Sequence, residues 1–489
     1  MTTGDLYNLL GLSAKATPDE VRAAYHQAAR RFHPDTNPSP GAVEEFKLVA
    51  DAYAILSDAS QRATYDAAVE QTGSGPLLAI KALYSQDRLP ALAEPQVVYV
   101  LLEIQPSILA DLPEPPLNLC LVIDRSTSMQ GNRLDQVKGA VLQVLDNLKE
   151  SDTFSVVTFS DRAEVIVPAQ RGLAERTLSK AKISTVSAGG GTEILQGLLS
   201  GLTELHRHIS PAGVNHLLLL TDGRTYGDEA DCLMLAHLAA SDGIAISGLG
   251  IGDEWNDAFV DALTGRTGGT ATYISAAQNV AGFIQERVRG LGATFAERLN
   301  VQVTLDPGME LASVFRVSPD SGPVPIEQPL QLGSLPKNGP STILFKFRLP
   351  PLAPGKQNIA RLSFFADVVS LGRRGERMAL DLALPVVQDA SPSSPPQKLV
   401  DALGRLSQYQ MQERAWQQAA AGDVDGATER LKTLGTRLLA SGQPELARLA
   451  LSEASRLEKT RVLSEDAKKK LKYGTRALMS EPPAATRRA

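Results

Sequence analysis

The chain has 489 residues, more than one hydrophobic core usually organises, so about three or four domains are expected. Its formal net charge of -6 provides no broad basic face, which excludes nucleic acid as the default partner. No apolar run approaches the roughly 20 residues that cross a bilayer, and the N-terminus lacks a charged-then-apolar signal pattern. The two cysteines, Cys120 and Cys232, are predicted to be core residues, so a reduced, cytoplasmic setting is expected.

The first seventy residues carry the signals of a helical hairpin. Thr17 and Glu20 flank a proline and form a capping box at a helix start. Pro34 disfavours helical geometry at His33, so the helix must end there. Apolar residues at helical spacing mark the buried face of each helix: Val21, Tyr25, Ala28 and Phe32, then Phe46, Ala50, Tyr53 and Leu56. The pattern predicts two antiparallel helices joined by a loop that bears His33, Pro34 and Asp35.

Residues 1–70 resemble a J domain of the DnaJ family, with the likeness running from Leu6 to about Ala68. It is carried by Tyr7-Asn8-Leu9-Leu10-Gly11, the helix with Tyr25, the His-Pro-Asp triplet, Ala52-Tyr53-Ala54-Ile55-Leu56-Ser57 and Tyr65-Asp66. The resemblance implies an all-α domain whose triplet contacts a heat-shock ATPase chaperone of the seventy-kilodalton, DnaK-like class and triggers ATP hydrolysis.

The resemblance also assigns contact residues to this chain: His33, Pro34 and Asp35, with Arg22, Arg30 and Arg31 forming a positive face for an acidic groove on the chaperone. Family members often carry several Lys or Arg in mid-helix, where this chain has His26, Gln27 and Ala28. Fewer charges weaken electrostatic steering, so modest stimulation of the chaperone is expected.

Between Leu117 and about Asn300, apolar strands alternate with amphipathic helices, which predicts an open, mainly parallel sheet covered on both faces. The predicted strands are Leu117 to Ile123, Phe154 to Phe159, Glu164 to Val167, His216 to Leu220, Ile244 to Leu249 and Thr270 to Ile274. The predicted helices are Leu134 to Lys149, Leu173 to Ile183, Ile194 to His208, Glu229 to Ser241, Asp257 to Thr264 and Gln278 to Gly292. Ligands of such sheets bind beyond the carboxyl ends of the strands.

Five oxygen-bearing residues fall at this edge or in loops beside it: Asp124, Ser126, Ser128, Thr192 and Asp222. Two carboxylates and three hydroxyls are hard ligands, suited to Mg²⁺ or Mn²⁺ rather than zinc or copper. The set resembles the metal-ion-dependent adhesion site (MIDAS) of von Willebrand factor A (VWA) domains, and residues 115–298 are expected to form such a doubly wound α/β domain. The resemblance implies that the three hydroxyls bind the metal directly, that the aspartates bind it directly or through water, and that a partner's carboxylate completes the coordination.

Other interpretations of these segments remain open. Asp-x-Ser-x-Ser alone can be a turn that caps a loop. A phosphotransfer role for Asp124 is disfavoured because Ser126 stands where a second acid would be expected, and no Gly-Lys-Ser/Thr follows Gly189 to make a phosphate-binding loop. Catalysis at the metal would need a base, for which only Glu193 or Asp228 could be nominated.

Strand-like stretches lie on both sides of the central domain: Leu77 to Ser85, Val97 to Gln105, Val301 to Leu305, Ser313 to Val317, Thr342 to Phe347, Arg361 to Ala366 and Met378 to Leu384. We expect residues 71–114 and 299–388 to pair into one β-sandwich in which the central domain is inserted, an arrangement that resembles inter-alpha-trypsin-inhibitor heavy-chain-like proteins. Residues 398–478 show helical leucine spacing with breaks at Gly422 and Gly442 and predict a helical domain. Lys468, Lys469, Lys470 and Lys472 are predicted to be a solvated helix face, and 479–489 a disordered tail.

These features favour a co-chaperone adaptor that recruits and stimulates a heat-shock ATPase and holds a client or scaffold protein through a metal-dependent site. The alternative is a structural or assembly protein with a vestigial J domain, whose VWA domain partners an AAA-type ATPase or a surface complex. No nucleophile–base arrangement is found, so the chain is not expected to be an enzyme.

Overall fold

The computed structural model describes residues 6–71, 77–107, 112–172, 175–225, 227–388 and 393–479. Helices and strands are numbered in chain order. The N-terminal helices are α1 (Leu6–Leu9), α2 (Pro18–Phe32), α3 (Ala42–Leu56) and α4 (Ala59–Gln71). Thr17 caps α2 in the predicted capping box, since its side chain accepts from the Glu20 amide while the Glu20 carboxylate accepts from the Thr17 amide at 2.7 Å. The backbone of His33 is extended and ends α2 before Pro34, which confirms the predicted hairpin.

Three strands follow and lead into the central domain. They are β1 (Leu78–Tyr84), β2 (Leu89–Pro90) and β3 (Gln96–Pro106). The central strands are β4 (Leu117–Asp124), β5 (Thr153–Phe159), β6 (Ala163–Arg171), β7 (Val214–Thr221), β8 (Ile244–Ile251) and β9 (Ala271–Ile274). They form one sheet in the order β6-β5-β4-β7-β8-β9, parallel except for the edge strand β6. Both faces of β4 and β7 are buried, which explains their continuous apolar character.

The helices of the central domain are α5 (Asn132–Asn147), α6 (Arg176–Ser184), α7 (Ile194–His206), α8 (Glu229–Ser241), α9 (Asp257–Gly265) and α10 (Val280–Gly292). Helices α7, α8 and α9 share one hydrophobic core with the sheet, including Val122, Leu198, Leu217 and Val260. Leu173, the predicted start of α6, lies outside the described residues. The expected doubly wound α/β domain is confirmed.

The remaining strands complete a two-sheet sandwich. They are β10 (Thr294–Leu305), β11 (Glu310–Ser318), β12 (Gly322–Val324), β13 (Leu330–Pro336), β14 (Ser341–Leu349), β15 (Gly355–Val368) and β16 (Arg373–Val387). One sheet has the order β1-β3-β14-β11-β12 and the other β13-β10-β15-β16-β2, so strands from before and after the central domain pair with each other. The two sheets bury one core, which includes Val100, Phe345, Val301 and Phe364. Strands β2, β12 and β13 were not predicted, since they are short or interrupted by glycine and proline.

The C-terminal helices are α11 (Gln397–Ala420), α12 (Val424–Ala440), α13 (Pro444–Thr460) and α14 (Glu465–Ala477). The predicted breaks at Gly422 and Gly442 are confirmed, and both glycines adopt positive φ. The predicted solvated face on α14 is wrong for Lys469 and Lys472, which are buried. The rest of the predicted tail, residues 480–489, lies outside the described part of the chain, while Met479 is buried.

The buried lysines have specific partners on the central domain. Lys472 pairs with Asp257 and lies 2.8 Å from Asp261, both on α9. Lys469 donates to the carbonyl of Trp255 at 2.6 Å and lies over its ring. The central domain and the C-terminal helices belong to one compact unit, and the N-terminal helices and the sandwich to another. Among the described residues, no helix is both long and apolar enough to span a membrane.

Candidate metal centre and chaperone-contact surface

The two predicted aspartate ligands end neighbouring strands of the central sheet. Asp124 is the last residue of β4, and Asp222 directly follows β7, which pairs with β4 in parallel. Strand β5 lies on the other side of β4, so chain order reverses between β4 and β7. Such a switch point separates the loops above the sheet and opens a crevice at the carboxyl edge. Both aspartates are fully buried there.

The two serines follow β4 in a tight turn that brings the Ser128 hydroxyl to Asp222 and the Ser126 hydroxyl to Ser128. The Ser126 amide donates to Asp124 Oδ1 at 2.8 Å, which fixes the turn against the end of the strand. The hydroxyls of Ser126 and Ser128 lie 3.0 Å apart, and Ser128 Oγ donates to Asp222 Oδ1 at 2.6 Å. Thr221 Oγ1 donates to Asp124 Oδ2 at 2.7 Å. Four of the five predicted ligands are therefore linked by short contacts.

The fifth ligand, Thr192, approaches from the loop before α7. A Cβ atom placed on Gly223 would lie 2.9 Å from Thr192 Oγ1, so the threonine lies directly against the residue after Asp222. The loop is tied to the serine turn by the Thr127 amide, which donates to the Gly190 carbonyl at 3.1 Å. Gly190 has a φ of +88°, a conformation that side chains disfavour. The structure thus brings all five predicted ligands to one place.

Burial raises the pKa of Asp124, the aspartate that ends β4. Desolvation is the largest cause of the rise in the pKa of Asp124 from 3.8 to about 6, and the charge of Asp222 acts in the same direction. Hydrogen bonds from Ser126 and Thr221 act in the opposite direction. A nearby divalent cation would favour the ionised carboxylate.

The donor set fits a hard divalent cation. It consists of two carboxylates and three hydroxyls, all oxygen, which suits Mg²⁺ or Mn²⁺. Among the described residues, no cluster of three or more His, Cys, Asp or Glu side chains could hold a metal, so a zinc-type site is not found there. In this set, Ser126, Ser128 and Thr192 would supply neutral oxygens, and the aspartates would supply the charge.

Sequence reasoning missed one residue of the site, Arg133 in the first turn of α5. Its Nη1 donates to Asp222 Oδ2 at 2.6 Å and to the Ser128 carbonyl at 3.3 Å. The Arg133 side chain is 36% exposed, whereas Asp222 is completely buried. The guanidinium therefore adds positive charge directly beside a predicted ligand. The only signal in the sequence was a basic residue nine positions after Asp124, which did not identify a contact.

The predicted chaperone-contact loop lies at the end of α2. The His33 ring packs edge-on against Phe46, with centroids 5.5 Å apart, and its Nδ1 accepts from the Asp35 amide at 3.3 Å. The Asp35 side chain is 86% exposed, and Pro34 is exposed. The loop therefore presents its carboxylate to solvent while the histidine ring is anchored.

The predicted arginines divide into two groups. Arg22 and Arg30 are exposed on α2, and Arg22 lies 3.8 Å from Asp19 in an open helical pair. Arg31 is only 16% exposed and is paired with Asp306 and Asp381 of the sandwich, each at 2.6 Å. The predicted placement of Arg31 on the chaperone-facing surface is corrected, because its guanidinium is used within the chain. Contact of Arg22 and Arg30 with a chaperone remains a prediction.

Comparison with known protein families supports the domain assignments. The DnaJ domain family matches residues 5–66, the von Willebrand factor type A domain family matches 118–287, and the Sll0103-like C-terminal alpha-helical domain family matches 397–481. The chain is 51% identical over 65 residues to the chaperone protein DnaJ of Methanosarcina thermophila, a match that covers 13% of this chain and 17% of that protein.

Two solved structures share the fold at low sequence identity. A von Willebrand factor type A protein from Catenulispora acidiphila matches with a TM-score of 0.66 and 17% identity, over 82% of this chain and 96% of the other. The ArnB paralog VWA2 from Sulfolobus acidocaldarius matches with a TM-score of 0.55 and 14% identity, over 82% and 98% of the two chains.

A longer sequence match extends beyond single domains. The uncharacterized protein sll0103 of Synechocystis sp. is 31% identical over 383 residues, which cover 76% of this chain and 90% of that protein. The C-terminal helices match a domain family that bears the same name. The chain therefore belongs to the Sll0103-like family and combines a J domain with a VWA domain.

Proposed function

We propose that this protein is a cytoplasmic, non-enzymatic co-chaperone adaptor. Its J domain recruits a DnaK-class ATPase and stimulates it through His33, Pro34 and Asp35, while its VWA domain holds a client or scaffold protein. The observation that carries the first half is the exposed Asp35 carboxylate beside an anchored His33, within a domain that matches the DnaJ family. Exposed Arg22 and Arg30 supply the positive charge for the chaperone's acidic groove.

The second half rests on the five convergent oxygen ligands. Asp124, Ser126, Ser128, Thr192 and Asp222 would hold Mg²⁺ or Mn²⁺ at the edge of the sheet. The bound cation would supply a positive centre with a coordination position open to an acidic side chain of the partner. This chain's own residues would orient that centre, since hydrogen bonds from Ser126 and Thr221 fix the Asp124 carboxylate.

The J-domain half is tested by the ATPase rate of a purified DnaK-class chaperone. Wild-type protein is expected to raise the rate, and His33→Gln to abolish the increase. His237→Gln is the matched control, because His237 is exposed on α8 of the VWA domain and the substitution is the same. No increase with wild type, or an equal increase with His33→Gln, would refute this half.

The metal half is tested by calorimetric titration with Mg²⁺. Wild-type protein is expected to bind one ion, and Asp124→Asn to lose binding. Asp135→Asn is the control, because Asp135 lies on α5 in the same domain and is mostly exposed. Binding that survives in Asp124→Asn would remove the metal from the proposal.

A second candidate function is an assembly protein whose VWA domain partners an AAA-type ATPase. The observation that favours it is Arg31, whose ion pairs with Asp306 and Asp381 leave fewer cations for a chaperone. Affinity purification with wild type and Asp124→Ala separates the two. A DnaK-class chaperone among the bound proteins supports the adaptor, and an AAA-type ATPase that is lost in the variant supports the alternative.

A further inference from the structure

The J domain is packed directly on one sheet of the sandwich. Arg31 on α2 pairs with Asp306, which follows β10, and with Asp381 on β16. On α3, Glu45 is fully buried and lies 3.4 Å from Arg361 of β15. Helix α2 thus supplies a cation to acidic partners on the sandwich, and helix α3 supplies an anion to a basic partner there. Separation of the surfaces would leave partly or fully desolvated charges without partners, which is costly.

Two further contacts fix the end of α2 near the His-Pro-Asp loop. The Phe32 ring is buried and lies close to two guanidinium groups, those of Arg31 and Arg361, at 5.0 and 5.2 Å from its centroid. Asn37, two residues after Asp35, is buried and donates to the carbonyl of Leu305 at 3.3 Å. The loop is therefore held against the sandwich in one orientation.

This packing creates a groove beside α2. Its volume is about 450 Å³, and it is lined by Ala23, His26, Gln27, Arg30, Arg31 and Asn358. Asn358 belongs to β15, so the sandwich forms one wall and the J domain the other. Among the described residues, no acidic side chain lines the groove or forms an ion pair with Arg30. Of the two arginines in the lining, Arg31 is neutralised by Asp306 and Asp381, so Arg30 is the cation that the groove offers to an acidic occupant.

We propose that the chaperone-docking surface of this protein is composite: the sandwich extends it at Asn358, and an acidic segment of the DnaK-class chaperone enters the groove between β15 and α2. The inference rests on the proposed co-chaperone function and assigns the sandwich a part in it. The ion pairs of Arg31 and Glu45 would act as positioning contacts that keep the two walls together. Docking is then possible in one orientation of the J domain relative to the sandwich.

The test uses charge substitutions of opposite sign in the full-length chain. The concentration of the protein that gives half-maximal ATPase stimulation is measured for wild type, Asn358→Asp and Asn358→Lys. An added negative charge would repel the acidic segment and raise this concentration about threefold to tenfold, while a positive charge would lower it by a similar factor. The maximal rate would stay the same, because the His-Pro-Asp loop is unchanged. Asn300→Asp is the matched control, since Asn300 lies on β10 of the same sheet and does not line the groove.

The outcomes are distinguishable. Opposite shifts for the two Asn358 variants, with none for the control, support the composite surface. A local structural defect would instead weaken both variants, and this result, or no shift in either, would overturn the inference while the proposed function stands. If wild type gives no stimulation at all, the proposed function fails, and the inference fails with it.

Discussion

Replacement of Arg133 by glutamine removes the cation that contacts Asp222 and should strengthen the binding of Mg²⁺. A divalent ion at this site must compete with the guanidinium for the carboxylate of Asp222. The pair is short, at 2.6 Å, and its acidic partner is completely buried, but the Arg133 side chain is about one-third exposed. Loss of the competitor should therefore raise metal affinity.

The size of the effect follows from this intermediate burial. Fully exposed ion pairs contribute about 0.2–1 kcal/mol, and the loss of one partner from a buried pair costs about 3–5 kcal/mol. A value of about 1.5 kcal/mol is expected for the Arg133–Asp222 pair, which corresponds to about a tenfold increase in the binding constant. Without metal, the same variant should unfold more easily by the same amount, about 1.5 kcal/mol, because the Asp222 carboxylate loses its counter-charge.

Two measurements on one variant therefore move in opposite directions. Calorimetry with Mg²⁺ should show tighter binding in Arg133→Gln, and urea unfolding in EDTA should show lower stability. Arg207→Gln is the control, because Arg207 forms a 3.2 Å pair with Glu204 on the same domain and is mostly exposed. Unchanged or weaker Mg²⁺ binding in Arg133→Gln would refute the reasoning, since the arginine would then support the metal rather than compete with it.

Two further predictions concern stability. Arg476→Met should lower the free energy of unfolding by about 3 kcal/mol, because the buried Asp261 carboxylate loses both bonds from Arg476 and keeps only Lys472 at 2.8 Å. Arg348→Met, at a two-bond pair with Glu310 in which both side chains are about half exposed, should change it by less than about 1 kcal/mol in the same urea titration. Similar losses in the two variants would contradict this. Burial raises the pKa of Glu297 from 4.5 to about 8, so the folded state holds a proton that the unfolded state has lost, and stability should fall as pH rises between these values. Glu297→Gln should remove this decline, so the melting temperature of the variant minus that of wild type should become larger between pH 5 and pH 9. A difference that does not change with pH would show that Glu297 is ionised in the folded protein.

Sequence patterns could bring the predicted metal ligands to one edge of the sheet because chain topology alone determines where strand ends meet. Asp124 and Asp222 each follow an apolar strand, and parallel strands of one sheet end at the same edge. Arg133 was not predicted, since its contact depends on how its long side chain turns back from α5 toward Asp222. No spacing rule encodes such a contact.

Charged residues on helices were predicted less well, because helical spacing defines faces and does not reveal what covers them. Arg31 was assigned to the positive face of α2, yet it is adjacent to Phe32 and three residues from Ala28, both of which are buried. That neighbourhood was a usable signal of partial burial. Lys472 on α14 gave no such signal, because its partners, Asp257 and Asp261, lie more than two hundred residues earlier in the chain.

The inserted arrangement of the sandwich has a consequence for biosynthesis. Strand β3 pairs with β14, so Ile104 meets Ser341 only after the entire central domain has left the ribosome. Until then, the edge of β3 that β14 will cover has no partner strand, and exposed edges of this kind favour aggregation. The nascent chain should consequently depend on holding factors during synthesis. The protein would then itself be an early client of the chaperone machinery that it is proposed to serve.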